Sequence, residues 1–273
     1  MSVDEDDSSA RDPAPALRRG VRILGILTEA QGRAVGLTEI ARALKAPKSS
    51  TSNLCVVLEE SGLIRRVEAG YLLGHRTVEF GGAYIHSFNE VREFYRYCAT
   101  AAALSQEVVQ IAMLDGSDVL YLARHEGSAP LRLTAGIGDR FPAAPTAVGN
   151  ALLAALPDDE VARLFRDPAA FPRRTAQSVR TLPDLLAKLE LVRRRGYAVD
   201  ENEVHPGISG VAVRMPPRSS SSPALAIGCT FLTAATSDLQ QETILAELFE
   251  LERLMENPMQ PISDPRPGAE ADS

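Results

Sequence analysis

Apolar residues in the first quarter of the chain recur every three or four positions, in three runs separated by short polar breaks. Such spacing is typical of amphipathic helices, and it predicts three of them. The first covers residues 16–29. The second is LTEIARAL, with Thr38 as its N-cap, and the third begins at Pro47, because proline favours the first position of a helix, and ends at Glu60.

The apolar positions of these helices define the faces that we expect to pack together. In the third helix, Leu54, Val57 and Leu58 lie at i, i+3 and i+4 and are expected to face the other two helices. The corresponding residues of the first two helices are Leu17, Val21, Leu24, Leu27, Ile40, Ala41 and Leu44. The segment LIRRVEAGYLL then predicts two short strands around a Glu-Ala-Gly turn. Three helices and a hairpin within residues 16–75 are the plan of a winged helix-turn-helix domain.

The pattern changes in the rest of the chain. Residues 76–96 predict a linker helix, interrupted at Gly81 and Gly82. In residues 97–256, the segments EVVQIAML, DVLYLARHE, PLRLTAGIG, GVAVRM and ALAIGCTF have the alternation and the flanking turns of strands, and helical segments lie between them. The sequence therefore predicts an α+β protein whose second domain contains a largely antiparallel sheet.

Composition narrows the class of protein. With 45% apolar residues, the chain can form one large domain or two modest ones, and no apolar run is long enough to cross a bilayer. The three cysteines are widely spaced and form no CxxC pair, which favours a reducing cytoplasm over a disulfide scaffold or a zinc ribbon. Residues 1–15 and 257–273 are rich in Pro, Asp and Ser, and we expect both to be disordered tails.

Local charge points to a polyanionic partner for the first domain. The chain carries a net charge of −7, but residues 16–75 contain nine Lys or Arg and only five Asp or Glu. The third helix starts with the polar run KSSTSN, and Ser, Thr and Asn can reach phosphate oxygens and base edges in a major groove. Lys48 adds a charge at this helix start, and Arg65 and Arg66 in the hairpin could hold the flanking phosphates. The alternative is that these hydroxyls only cap the helix.

Two other classes of function stay open on the residues themselves. A small-molecule hydrolase is one, although the chain has no GxSxG, HExxH, GxGxxG or P-loop motif and its four histidines lie in no metal-binding spacing. A protein-interaction module, whose winged helix contacts protein rather than DNA, is the other. Steep salt dependence of duplex binding would support the DNA-binding hypothesis over the protein-interaction module.

The motifs of both domains resemble those of the IclR family of bacterial transcription regulators, from about Leu17 to Thr236. They are LTEIARAL, PKSST, LEESGLI and YLLG in the first domain, and LRLTAGIGDRFPAAPTAVGNALLA, RTLPDLLAKLELVRRRGYAVDENE and GISGVAV in the second. The resemblance implies a homodimer or homotetramer that binds operator DNA and a small organic, often carboxylic or aromatic, acid. It also implies a GAF- or PAS-like effector-binding domain, no cofactor and no enzymatic activity.

The resemblance also assigns residues to the two sites. The DNA-binding residues would be Thr38, Lys48, Ser49, Ser50, Ser52 and Asn53, together with the wing residues Arg65 and Arg66. The effector-binding residues would be Leu133, Ala135, Thr146, Ala147, Val148, Gly149, Asp200, Ile208, Ser209, Gly210, Gly228 and Thr230. Asp200 has an equally plausible role as a turn residue.

Three departures from the family pattern bear on specificity. Asn53 stands where arginine is usual, which implies a different operator sequence. Asn150 stands where lysine is usual, and Gly228 and Cys229 occupy a region often richer in serine. These changes imply an effector that is less anionic, or more apolar and aromatic, than a simple keto acid.

Overall fold

The computed structural model describes residues 13–86, 89–128, 135–215, 217 and 223–256. The chain divides into two units, residues 1–87 and 88–273. The predicted tails lie outside the described residues, except for residues 13–15, of which the first two precede the first helix and the third begins it.

The first unit contains the predicted three helices and hairpin. Its elements are α1 (Pro15–Glu29), α2 (Leu37–Leu44), α3 (Lys48–Glu60), β1 (Ile64–Val67), β2 (Gly70–Leu73) and α4 (Arg76–His86). The two strands pair antiparallel, and Val35 and Tyr71 exchange backbone hydrogen bonds of 3.0 and 2.9 Å that extend the sheet. Gly70 makes this approach possible, since a Cβ on it would lie 2.4 Å from the carbonyl oxygen of Val35. The winged helix-turn-helix prediction is confirmed.

The helix faces that pack in this unit agree only in part with the predicted ones. In α2, Ile40, Ala41 and Leu44 are buried as predicted. In α1, Leu17 and Val21 are 68% and 61% exposed, and the buried residues are Gly20, Ile23 and Leu27. The helix has two apolar stripes, so periodicity gave no means of choosing between them.

The third helix also turns a different face to the core. Val57 is 62% exposed rather than packed inward, and Thr51 and Cys55 are the buried residues of α3. Leu54 and Leu58 are only partly buried against the core. Small side chains at positions 51 and 55 allow α3 to approach its neighbours closely, which the preference for large apolar residues in a predicted core does not anticipate.

Three local predictions need correction. The N-cap of α2 is Gly36, and Thr38 lies exposed in the first turn. Pro47 precedes α3 as its N-cap instead of being its first residue. The glycines of the predicted linker do not interrupt a helix, since α4 runs through Gly81 and Gly82. A separate helix, α5 (Asn89–Cys98), follows in the second unit.

The second unit is a six-stranded sheet with helices packed on it, which confirms the α+β prediction. After α5, its elements are β3 (Val108–Asp115), β4 (Asp118–Glu126), β5 (Arg140–Pro142), α6 (Ala147–Leu153), α7 (Asp158–Leu164), a 3-10 helix (Pro168–Ala170), α8 (Leu182–Arg195), β6 (Ala198–His205), β7 (Ile208–Met215), β8 (Leu225–Leu232) and α9 (Asp238–Glu256). The strand order is β5-β4-β3-β8-β7-β6, and every neighbouring pair is antiparallel. The predicted strand PLRLTAGIG falls mainly outside the described residues, and its described end is not a strand.

Helices cover the sheet through two sets of contacts. The short helix α6 packs on β7, β8, β3 and β6 and is covered in turn by α8, whereas α9 packs on β7 and β8 and contacts α5. A Cβ on Gly228 would meet Val148 of α6, which shows that even-numbered residues of β8 face this helix. The carboxylate of Glu247 on α9 accepts hydrogen bonds of 3.1 and 2.9 Å from the backbone N–H groups of Ala103 and Leu104. None of the described helices is long and apolar enough to span a membrane.

Candidate functional site

The start of α3 presents a polar surface in the first unit. Of the eight predicted DNA-binding residues, none is buried: Ser50 and Ser52 are half-buried, and Thr38, Lys48, Ser49, Asn53, Arg65 and Arg66 are exposed. The exception within the run is Thr51, which is buried and donates a hydrogen bond of 3.0 Å to the carbonyl oxygen of Pro47. The remainder of this polar run is therefore accessible to a partner.

Two valines on α3 were not predicted to belong to this surface. Val56 and Val57 are 46% and 62% exposed, in the turn that follows Asn53. Their exposure gives the outward side of α3 an apolar patch beside its amide and hydroxyl groups. Val57 was predicted to face the core and Val56 was assigned to neither face, so only the observed helix orientation reveals this patch.

Positive charge flanks the polar run. Arg66 lies over the ring of Tyr71, with its guanidinium carbon 5.9 Å from the ring centroid. Arg33 is neutralised by Glu39 at 2.8 Å, and Arg76 donates to the carbonyl oxygen of Ser61 at 3.1 Å. Among the described residues, Lys48 has no comparable ion pair, so its charge is available to an external anion.

The second unit contains a cavity of about 100 Å³ between α6 and the sheet. One water occupies roughly 10–15 Å³ on a comparable measure, so the cavity has room for a small organic molecule. Its lining residues are Gln110, Tyr121, Ala135, Phe141, Thr146, Ala147, Val148, Arg174, Asp200, Val204, His205, Ile208, Gly210, Val211, Gly228, Cys229 and Thr230.

Most of the predicted effector-binding residues meet around this cavity. Nine line it: Ala135, Thr146, Ala147, Val148, Asp200, Ile208, Gly210, Gly228 and Thr230. Leu133 lies outside the described residues. Gly149 does not line the cavity because it is packed against backbone, where a Cβ would lie 2.2 Å from the carbonyl oxygen of Ala143. Ser209 does not line it either, and its hydroxyl lies 2.8 Å from that of Thr233.

The loop before α6 is held in place by side chains of the helix itself. Thr146 caps α6, since its Oγ1 accepts a hydrogen bond of 3.1 Å from the N–H of Gly149. Asn150 is fully buried, and its Nδ2 donates to the carbonyl oxygens of Ala144 and Thr146 at 3.1 and 2.6 Å. Asn150 does not line the cavity, so its effect on the site is to hold the loop that does.

Asp200 is the buried carboxyl group of the cavity. Its Oδ1 accepts a hydrogen bond of 2.8 Å from the N–H of Glu203, and the residue is only 6% exposed. Burial raises the pKa of Asp200 to about 7, against the opposing effects of the N–H groups of Glu203 and Val204 and the charge of Lys188. The nearby Glu203 carboxylate also raises this pKa.

An aromatic and cationic group that the sequence analysis missed forms another part of the wall. Tyr121 and Phe141 pack edge to face with ring centroids 6.0 Å apart. The guanidinium carbon of Arg174 lies 4.6 Å from the centroid of the Phe141 ring. Burial raises the pKa of Tyr121, the charge of Asp200 raises it further, and the charge of Arg174 lowers it. Tyr121 thus lies within electrostatic range of both charged groups.

No metal-binding arrangement occurs in the part of the chain that the structure describes: no group of three or more His, Cys, Asp or Glu residues there could hold a metal ion. Cys229 borders the cavity, but alternation along β8 places its thiol on the face opposite Gly228 and Thr230. Burial raises the pKa of this thiol well above its usual value, which makes it an unreactive core residue.

Comparison with family models identifies both units. Residues 16–68 match the IclR helix-turn-helix domain, and residues 82–253 match the bacterial transcriptional regulator IclR C-terminal domain. The HTH-type transcriptional repressor AllR of Salmonella paratyphi A is 29% identical over 208 residues, which cover 76% of each chain. The HTH-type transcriptional regulator KdgR of Dickeya chrysanthemi is 26% identical over 196 residues, which cover 71% of this chain and 64% of that protein.

Solved structures share the fold. An IclR transcriptional regulator from Alicyclobacillus acidocaldarius matches with a TM-score of 0.77 and 23% identity, over 89% of this chain and 97% of that chain. An IclR homolog from Microbacterium hydrocarbonoxydans, solved in complex with 4-hydroxybenzoate, matches with a TM-score of 0.73 and 21% identity, over 88% of this chain and 98% of that chain. In both cases the likeness extends over both units.

Proposed function

Because the chain belongs to the IclR family of bacterial transcriptional regulators, we propose that it binds operator DNA through α3 and the β1–β2 hairpin, and a small organic acid in the cavity of its second unit. The observation that carries the proposal is the pair of accessible sites: a polar helix start with unneutralised positive charge, and a partly open cavity lined by apolar, aromatic and polar groups.

The exposed side of α3 supplies the chemistry for reading a major groove. Asn53 can donate to and accept from the edge of an adenine, and Val56 offers an apolar surface to a thymine methyl group. Lys48, Arg65 and Arg66 would hold phosphates on either side of these base contacts. The resemblance to the family implies that Asn53 stands where arginine is usual, so we expect the operator to differ from those of other members.

The cavity fits a small carboxylic or aromatic acid. Its wall includes the rings of Tyr121 and Phe141 and the apolar side chain of Val148, which suit a planar hydrocarbon body. The relative from Microbacterium hydrocarbonoxydans was solved with 4-hydroxybenzoate, a ligand of this class. Binding of such an effector would change operator affinity by the difference in its affinity for two conformations, typically about 1–3 kcal/mol.

We also propose a homodimer or homotetramer as the functional form. Two copies of α3 in a dimer could occupy successive major grooves, about one helical turn apart, so the operator would contain two related half-sites. Sedimentation of the purified protein with and without a duplex operator measures the stoichiometry directly.

The test of DNA recognition uses Asn53→Ala and Lys48→Ala. Operators selected from a random duplex library are titrated with each protein at several salt concentrations. Asn53→Ala should lose about 1–3 kcal/mol of discrimination at one base pair of each half-site, while its affinity for effector stays unchanged. Lys48→Ala should weaken all sequences alike and reduce the salt slope by about 1.

Two outcomes would contradict this proposal. Duplex binding that is insensitive to salt would favour the protein-interaction module instead. A loss of both operator discrimination and effector affinity in Asn53→Ala, with an unchanged melting temperature, would contradict the division of the two functions between the two units.

A further inference from the structure

Arg174 borders the cavity from a loop that has no regular structure. The loop lies between the 3-10 helix and α8, and the Arg174 side chain is exposed at the cavity wall. Its guanidinium carbon is 4.6 Å from the ring centroid of Phe141, which is close enough for a cation–π contact. One face of the guanidinium is therefore covered by Phe141, whereas the N–H groups at its edge form no hydrogen bond or ion pair with the described residues and can bind a ligand.

The backbone that carries Arg174 is fixed to the sheet. The hydroxyl of Ser178 accepts hydrogen bonds from the N–H groups of Arg174 and Thr175 at 3.2 and 2.9 Å. The same hydroxyl donates to the carbonyl oxygen of Glu203 on β6 at 2.7 Å. Glu203 in turn donates its N–H to Asp200, so one chain of hydrogen bonds connects the loop with the carboxyl group of the cavity.

Glu203 strengthens this attachment through its side chain. Its carboxylate forms an ion pair with Lys188 of α8 and accepts a hydrogen bond of 3.3 Å from the N–H of Val179. Ser178, Thr175 and Glu203 are all buried, which protects these bonds from water. The backbone position of Arg174 is therefore set in advance by the fold rather than by a ligand.

The guanidinium of Arg174 has no anionic partner among the described residues. Other arginines of the same unit do: Arg193 lies 2.8 Å from Asp158, and Arg163 lies 3.2 Å from Asp159. Arg174 is also the one lining residue described that carries a permanent positive charge. A fixed cation that borders an aromatic cavity and is not neutralised by the protein is arranged for an anionic ligand.

We propose that Arg174 is the residue that selects a carboxylate effector, by binding its two oxygens through the edge of the guanidinium while Phe141 holds the guanidinium plane. This inference rests on the proposed function of the cavity as an effector site. The effector's carboxylate would lie on the side of the cavity formed by β5 and Arg174. Asp200 would then accept a hydrogen bond from, or donate one to, a polar group elsewhere on the ligand.

The test compares acids with their uncharged amides. The probes are benzoate and benzamide, 4-hydroxybenzoate and 4-hydroxybenzamide, and pyruvate and pyruvamide, with the full-length protein and affinities measured by calorimetry. Arg174→Gln should lose about 10- to 100-fold in affinity for the acids that bind, and retain its affinity for the amides, because the lost interaction is specific to the charged group. Arg174→Lys should keep part of the preference, since it retains the charge but not the planar fork.

Arg173→Gln is the matched control. Arg173 is the exposed neighbour of Arg174 and does not line the cavity, so this variant changes the net charge equally and should bind the acids like the unmodified protein. Equal acid affinity of Arg174→Gln and Arg173→Gln would overturn the role of Arg174 while leaving the effector site in place. Failure of every acid to bind the unmodified protein would overturn both this inference and the proposed effector class.

Discussion

Residues 48–53 of α3 and residues 175–178 of the loop before α8 are both short runs rich in Ser and Thr, yet the structure places them differently. In α3, Ser49 is exposed and Ser50 and Ser52 are half-buried, and the hydroxyl of Ser50 donates to the nearby carbonyl oxygen of Pro47. In the loop, Thr175 and Ser178 are buried and bond to the carbonyl oxygen of Glu203, about 25 residues away in the chain.

The environment of a hydroxyl-rich run decides which partners its hydroxyls can bind. Hydroxyls that meet water on one side remain available to an external partner, and on α3 we propose that this partner is DNA. Hydroxyls enclosed by protein must find partners within the fold, because an unsatisfied buried polar group is costly. The loop hydroxyls therefore fix the backbone from which the Arg174 side chain reaches the cavity. The run on α3 would contact its ligand directly, whereas the loop run would act on its ligand through Arg174.

The largest effect is expected from filling the cavity. A Cβ on Gly210 would lie 3.7 Å from the Cβ of Ala147, so a larger side chain at this position points between β7 and α6. Gly210→Phe should reduce effector affinity by more than about 100-fold, since its ring would occupy much of the roughly 100 Å³ available, and should leave effector-free operator binding unchanged. Calorimetry and gel-shift titrations measure the two affinities.

Gly210→Ala is the control for this prediction. Its Cβ would lie 3.3 Å from the carbonyl oxygen of Cys229, so only a small shift is needed and the cavity stays open. If Gly210→Phe binds effector normally, the site lies elsewhere. If it loses operator binding as well, with an unchanged melting temperature, then effector binding and operator binding are not divided between the two units.

A second prediction tests the two hydroxyl runs directly with Ser178→Ala and Ser50→Ala. Ser178→Ala removes the acceptor of the N–H groups of Arg174 and Thr175 and leaves the carbonyl oxygen of Glu203 with the Thr175 hydroxyl alone, and should lower the free energy of unfolding by about 1–3 kcal/mol. Ser50→Ala removes one local bond near solvent and should change it by less than about 0.5 kcal/mol. Denaturant titrations measure both, and equal effects would contradict the proposed difference.

The sequence predicts much of the first unit and the strand pattern of the second, because both depend on local periodicity and turn residues. It fails where the outcome depends on packing. Val57 is exposed although it was predicted to face the core, and the buried residue is Thr51 instead, because α3 has more than one possible inward face. Ser209 was assigned to the cavity together with Gly210, although neighbouring residues of a strand face opposite sides of the sheet.

Arg174 illustrates the other kind of failure. It lies in a loop without periodic pattern, and it reaches the cavity only because Ser178 and Thr175 bond to a strand that follows much later in the chain. Nothing in the sequence around Arg174 indicates that it lies at the cavity. By contrast, Asp200 and Gly228 could be assigned from the resemblance, since their strands also provide the sheet that defines the fold.

The smallest expected effect is a pH dependence of effector affinity, which the cavity should show and the operator affinity of α3 should not. Burial raises the pKa of Asp200 to about 7 in the folded protein from an ordinary value of 3.8. The neutral carboxyl therefore predominates below pH 7, and a negative charge develops in the cavity above it. Affinity for an anionic effector should fall as the pH rises through about 7, by at most about tenfold per pH unit, whereas Asp200→Asn should bind with a flat pH profile.

The same titration fixes the sign of a stability effect. Folding favours the neutral carboxyl, so the stability that Asp200 contributes is complete below about pH 4 and is lost as the pH rises through about 7. Asp200→Asn should therefore gain in melting temperature relative to the unmodified protein between pH 5 and pH 8, and operator affinity should show no matching change. An effector affinity that rises with pH in the unmodified protein, or a pH profile that survives in Asp200→Asn, would exclude Asp200 as the titrating group.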